Sequence, residues 1–567
     1  MRRGAATVCL LVCLLAGGAR GGEVFDAETL AFAARVNADA LSLLGVQYNA
    51  RIAILDTLAR DQLDQMYGAR TIDSLPPAVA FLEVYLNAGR YADAPVIYVR
   101  EKNMRAFVRK HLDAKTAAVF QRTNRLPPAS LLDTEAWHLL IHSRRAASAD
   151  MQRAGGISSL REALPRLSAR KEFRVAIDRL SARYSSFLAT EMLHVAPSAG
   201  DRWLPAEEAF RMAASAATRP AGGRNPVAVQ WAALRDAWRS RDAGKVNLLI
   251  VQIGMLTALA AGPTYPSERL GGLERLYNQT NQFTIVWIGY AVALGLLILA
   301  AASGRRWPQW AGLGFFCLST LGMLVGFVVR WLISGRAWYL PPIMNQFEAV
   351  IGSALLGALI AIVLELAWRK SYFALAASLY ATIALLSGVI FPEQMGAGIR
   401  AQHGILSSPV MAAHVTVIII GHALVGMTFF ISLAYLGVLA FAGSGFENAP
   451  PSGPPDLRPA RDLATLAVID RCNLIVAQLA CWTVVVGTIL GAYWGDFAWG
   501  RWWGWDPKET WALITCLVYV ILLHVRFVTP VRWRGLVTAL ICILGCLVML
   551  FNWIVVNFFL AGKHSYA

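Results

Sequence analysis

Between Trp499 and Trp511 the chain reads WGRWWGWDPKETW, five tryptophans in thirteen residues. Trp499, Trp502, Trp503 and Trp505 offer a broad, flat aromatic surface. Two imidazoles bracket the stretch in sequence, His414 before it and His564 after it. A porphyrin needs a flat apolar surround, and its iron takes axial nitrogen ligands. The residue types therefore suit a bis-histidine haem site, with acidic and basic loop residues to meet the propionates.

The elements that position these residues are apolar helices. The chain has 567 residues, of which 56% are hydrophobic and 16% charged. A soluble protein of this size is more polar. We expect a mainly α, polytopic membrane protein of about eight spans, preceded by a mostly helical exported soluble domain. The domains are residues 1–22, a signal peptide or uncleaved anchor; 23–280, extracytoplasmic; and 281–567, membrane. The basic n-region Arg2-Arg3 and the short apolar run after it carry the signal reading.

The spans fall near 283–301, 310–329, 349–368, 372–391, 410–442, 472–494, 510–527 and 536–560. With the exported domain outside, Arg305, Arg306, Arg369, Lys370, Arg458, Arg461, Arg526, Arg532 and Arg534 fall on the inside loops. This bias explains the net charge of +16 without nucleic acid as a partner. It also places the tryptophan stretch, His414 and His564 on one outer face. His422 lies two turns below His414, about 12 Å deeper, and His524 lies about 20 Å below Trp511. Ionisable groups inside spans are costly and usually functional.

In the soluble part, FDAETLAFAARVNADALSLL, RIAILDTLARDQLDQMYG and PPAVAFLEVYLNAG read as helices, and APVIYVR as a strand. VNLLIVQIGMLTALAAGP reads as a buried or surface-lying helix rather than a ninth span. Residues 23–280 contain no cysteine, so this region has no disulfide framework and no CxxCH of its own.

Each feature also has a plainer explanation. Interfacial tryptophans form aromatic belts. Asp506, Pro507 and Glu509 fit the N-cap, N1 and N3 positions of a capping box. A histidine at a membrane edge can be a snorkelling tip, and this explanation suits His403.

The stretch WGRWWGWDPKETWALITCLVYVILLHVR resembles the tryptophan-rich WWD signature of haem-handling proteins, and within them the CcsA (ResC) type of cytochrome c biogenesis protein. SGRAWYLPPIMNQFEA, SSPVMAAHV and GKHSYA resemble three further segments of that family, in the expected order. The resemblance implies that His414 and His564 are the axial ligands of haem b at the outer site. It implies that Trp499, Trp502, Trp503, Trp505 and Asp506 shape that site, and that His524 helps haem cross from the cytoplasmic side. We expect His422 and His524 to form or contribute to an inner haem site.

The implied activity is delivery of haem to the CxxCH of apocytochrome c and thioether attachment there, by this chain alone or with a CcsB (ResB) type membrane partner. The implied partners are apocytochrome c, that membrane protein, a thiol-reducing protein of the pathway and membrane lipid. The implied location is the bacterial cytoplasmic membrane, with both the exported domain and the C-terminus outside. The alternatives are a haem handler of the CcmC or CcmF type and, from another class, a non-haem membrane transporter. Internal repeats, common in transporters, are not evident.

Overall fold

The structure is a computed structural model that describes residues 24–109, 112–132, 193–198, 203–215, 225–280, 282–343, 345–391, 395–401, 407–446, 457–560 and 562. The signal segment, His403 and His564 lie outside the described residues. The chain is a mainly α, polytopic membrane protein and divides into two compact units, Met1–Asn278 and Gln279–Ala567.

The first unit is helical with a small sheet. Strands β1 (Gly45–Tyr48) and β2 (Arg51–Ile54) form an antiparallel hairpin. Asn49 and Ala50 turn it, both at positive φ, as a two-residue hairpin loop requires. The sheet continues through β5 (His194–Pro197) to β6 (Trp203–Pro205), while β3 (Ile97–Tyr98) pairs with β4 (Arg125–Leu126). Two helical expectations are corrected here. RIAI is strand, and the helix begins only at Leu55. FDAETLAFAARVNADALSLL splits into Ala27–Ala33 and Ala38–Ser42 because the Asn37 side chain accepts from Ala40 N and starts a second helix.

Helix Ala243–Ala261 is long and apolar enough to cross a membrane. It nevertheless buries Val246, Leu249, Ile250 and Ile253 in the core of the first unit, with Trp231 and Trp238. Its other side leaves Leu248, Val251, Met255 and Leu259 exposed.

Glu83 ties this core together. It is buried, and it accepts from Arg241 (2.6 and 2.9 Å), Tyr91 Oη (2.7 Å) and Trp238 Nε1 (2.8 Å). Burial alone would push its pKa up, but the donors from Arg241, Tyr91 and Trp238 hold it below the ordinary carboxylate value of 4.5. A depressed folded-state pKa gives stability that is fully present above 4.5 and is lost as the pH falls through the depressed value. Glu83→Ala is expected to cost about 3–5 kcal/mol at neutral pH by leaving Arg241 unpaired. It should also flatten the acid slope. Thermal melts of the full chain between neutral pH and pH 3 check both, and an unchanged acid slope would contradict the assignment.

Among its described residues the second unit holds eight long helices: α1 (Gln282–Ser303), α2 (Arg306–Ser334), α3 (Gln346–Trp368), α4 (Tyr372–Ile390), α5 (Pro409–Phe446), α6 (Leu457–Trp499), α7 (Pro507–Val528) and α8 (Arg534–Leu550). After α8 the helix widens into a π-helical turn, Phe551–Val555, before Val556–Phe559 resumes α geometry. Helices α5 and α6 pack closely because glycines face bulk: a Cβ on Gly421 would meet Val484 Cγ2 at 2.8 Å, and one on Gly487 would meet Ile418 at 2.7 Å.

A candidate functional site at the tryptophan-rich end

The turn between α6 and α7 is built residue by residue. Gly500 ends α6 at φ +69°, and Trp505 takes φ +57°, an uncommon conformation for a side chain of this size. Asp506 then caps α7, with Pro507 at the first helical position. Glu509 Oε2 reaches back to accept from Asp506 N (3.2 Å) and Gly504 N (2.7 Å), which completes a capping box.

Asp506 has a second contact. It is buried, and a Cβ placed on Gly562 would lie 2.7 Å from its Oδ1. The chain therefore passes against the Asp506 carboxylate two residues before His564. Lys508, the second residue of α7, donates to Asn552 O (3.1 Å) and Asn557 Oδ1 (2.8 Å) on the last helix. The charged half of the tryptophan stretch thus fixes the C-terminal helix as well as opening α7.

Beside this turn lies a cavity of about 610 Å³, within the range of about 300–1,000 Å³ typical of cofactor pockets. Its wall is largely apolar, with Ile343, Met395, Met411, Ile418 and Val484 among its lining. Lys508 and Arg400 bring positive charge to it, and the two partners of the Lys508 ammonium are neutral. Asn345 Nδ2, Asn552 Oδ1 and His422 Nδ1 are buried with no hydrogen-bond partner among the described residues.

His414 lines the cavity from α5, and its Nδ1 lies 2.8 Å from Gly487 O. A carbonyl only accepts, so Nδ1 carries the proton, and in the neutral ring the lone pair sits on Nε2. The same arrangement orients histidines that bind metals. Gly491 makes room for the ring, since a Cβ there would meet His414 Cε1 at 2.6 Å.

The structure sorts the other expected residues. Trp499 and Trp503 line the cavity. Trp502 and Trp505 are 53% and 70% exposed and are not in its wall. Trp494 and Trp553 do line it, and the sequence reading passed over both because they sit inside long apolar runs. His422 shares the cavity with His414. His524 is not in the wall: it lies on the exposed side of α7, with Nδ1 bonded to Val520 O at 2.8 Å. His422 and His524 are thus not brought around one cavity.

A buried clasp holds the neighbouring loops. Arg330 Nε and Nη2 bond Glu348 Oε1 at 3.0 and 2.9 Å, and Arg336 Nη1 bonds Oε2 at 2.8 Å. The same guanidiniums donate to the carbonyls of Ala397, Gly398 and Arg400. Asn345, at the N-cap of α3, accepts from Glu348 N at 2.7 Å. The clasp thus anchors the segment that brings Met395, Gly396 and Arg400 to the cavity.

Comparison with known proteins places this arrangement. Residues 344–564 match the family described as Cytochrome C assembly protein. Protein NrfI of Wolinella succinogenes is 33% identical over 321 residues, 53% of this chain, but the chain spans only 32% of NrfI. The cytochrome c biogenesis protein CcsA of Synechococcus sp. strain CC9902 is 32% identical over 254 residues, covering 42% of this chain and 81% of that protein. CcsA of Prochlorococcus marinus strain NATL2A is 28% identical over 322 residues, 51% of this chain and 97% of that protein. The CcsA matches run over most of those proteins' lengths, and the tryptophan stretch, His414 and the Asn345–Glu348 pair all lie within the matched family region. The chain belongs to the CcsA-type cytochrome c biogenesis proteins.

Proposed function

We propose that this chain binds haem b in the cavity beside the tryptophan turn, with His414 and His564 as axial ligands, and delivers it to apocytochrome c at the extracytoplasmic face. The observation that carries this reading is His414: an imidazole with its tautomer set by Gly487, in an aromatic and apolar cavity of cofactor size. The donor set fits the cargo. Trp499, Trp503, Trp494 and Trp553 supply flat surround, and Lys508 and Arg400 supply positive charge for propionates. The unpartnered Asn345 Nδ2 and Asn552 Oδ1 add polar atoms that a ligand can satisfy.

Attachment is an addition. Each CxxCH thiol adds its sulfur and its hydrogen across a haem vinyl double bond, and nothing leaves. The histidine of that motif replaces one axial imidazole as the product departs. A thiol-reducing protein keeps the cysteines available. His524, on the exposed side of α7, would meet a CcsB-type membrane partner that completes an inner site. The first unit, with its cysteine-free core, serves docking of the apocytochrome or of that partner.

Co-expression with a CxxCH reporter, in cells lacking their own pathway, tests the proposal. Holocytochrome formed by this chain, with or without a CcsB-type protein, supports it. Purified protein that stays colourless when haem is supplied refutes it. Gly491→Ala gives a sharper check. Its Cβ must displace the His414 ring and break the bond to Gly487, so haem affinity should fall about 10–100-fold, as when the partner of a ligand is lost. Titration with haem reads the shift, and unchanged affinity would remove His414 from the site.

A further inference from the structure

We infer that His422 is a second iron-binding imidazole in the His414 cavity, a deeper station that holds haem by turns with His414. The inference rests on the haem reading above and adds a position to it.

Both histidines project from α5, eight residues apart, which puts His422 two turns and about 12 Å further along the helix. The cavity is long enough to include both. Its α5 wall runs from Met411 to His422, about 16 Å, and its α6 wall from Val484 to Trp499, about 22 Å. His414 is turned to Gly487 on α6 and His422 stacks on Trp553, so the inference assigns the two rings to successive positions of the haem rather than to one iron.

The environment of His422 is that of a ligand rather than of a satisfied core residue. Its Nδ1 is buried with no hydrogen-bond partner among the described residues, whereas His414 is committed to Gly487. A buried imidazole nitrogen left without a partner is destabilising unless something supplies one. The ring is nonetheless held in place. It stacks on Trp553 with centroids 4.9 Å apart and planes at 29°, and Trp553 is pinned by its Nε1 bond to Gln346 Oε1 at 3.1 Å. The same cavity wall carries Lys508 from α7 and Asn552 from the π-helical turn, a cation and an unpartnered amide oxygen lining one cavity.

The test compares full-length wild-type protein, His414→Ala, His422→Ala and the double variant, each purified from haem-replete cells. Haem per chain and the electron paramagnetic resonance of the ferric form are read. We expect His414→Ala to keep haem with an altered but still imidazole-ligated signal. The double variant should hold less by at least about a further tenfold, and added imidazole should restore part of it. His422→Asn, which keeps a polar side chain of similar reach, serves in place of alanine if His422→Ala is not monodisperse. A double variant that holds as much haem as His414→Ala, with the same signal, overturns the inference and leaves the outer site standing. Haem absent from the wild-type protein overturns the functional reading itself, and the inference with it.

Discussion

Alanine in place of Glu348 is expected to destabilise the membrane unit by about 3–5 kcal/mol, the range for breaking one partner out of a buried ion pair. Glu348 and Arg330 are 0% and 1% exposed at their side chains, and Arg336 is 2% exposed. Removing the carboxylate leaves two buried guanidiniums with no counter-charge. Each retains a carbonyl partner, but a neutral oxygen does not offset the desolvation of a cation. Glu348→Gln should cost nearly as much, because it keeps the shape and loses the charge. The segment bearing Met395, Gly396 and Arg400 should then loosen. Thermal unfolding in detergent and amide exchange over residues 395–401 report both effects. A loss below about 1 kcal/mol, the scale of an exposed pair, would mean that the clasp is not what holds these loops.

His414→Ala should separate holding haem from using it. Holocytochrome yield is expected to fall at least about tenfold, equivalent to 1.4 kcal/mol or more, because the ligand facing the tryptophan turn is gone. Haem content should fall less, since His422 remains in the same cavity. The result that contradicts this is a yield that tracks haem content in proportion. His414→Gly with added imidazole provides a rescue arm: yield should return in part if the vacancy at residue 414 is the defect, since Gly487 O remains in place to orient the added ring.

The membrane half was legible because hydropathy and loop charge act on every residue of a span. All eight segments correspond to helices, yet α6 runs from Leu457 to Trp499 where the apolar signal covers only 472–494. A helix extends into water as readily as lipid allows, and hydropathy does not see that part. The capping box at Asp506 was readable from four residues, since its bonds are local. The contacts of Asp506 with Gly562 and of Lys508 with Asn552 and Asn557 join residues far apart in sequence, so no local pattern announces them. Trp502 and Trp505 looked equivalent to Trp499 and Trp503, and nothing in the local pattern separates the exposed rings from the lining ones. The β1–β2 hairpin was missed because Asn49-Ala50 lacks the glycine that usually marks such a turn.

The π-helical turn at Phe551–Val555 has a consequence for register. In an α-helix, positions five apart point in clearly different directions, at 3.6 residues per turn. A turn with i to i+5 bonding stacks them instead. Asn552 and Asn557 are five apart, and the Lys508 ammonium holds a backbone oxygen of one and the side chain of the other. The wide turn acts as a single inserted residue that re-phases the end of the chain. Closing the turn to α geometry with every residue kept would swing Asn557 away from Lys508 by about 100°, whereas deleting one residue inside it would restore a regular screw and leave that setting unchanged. For this protein, the angular setting of Asn557 is stored in the pitch of one helical turn.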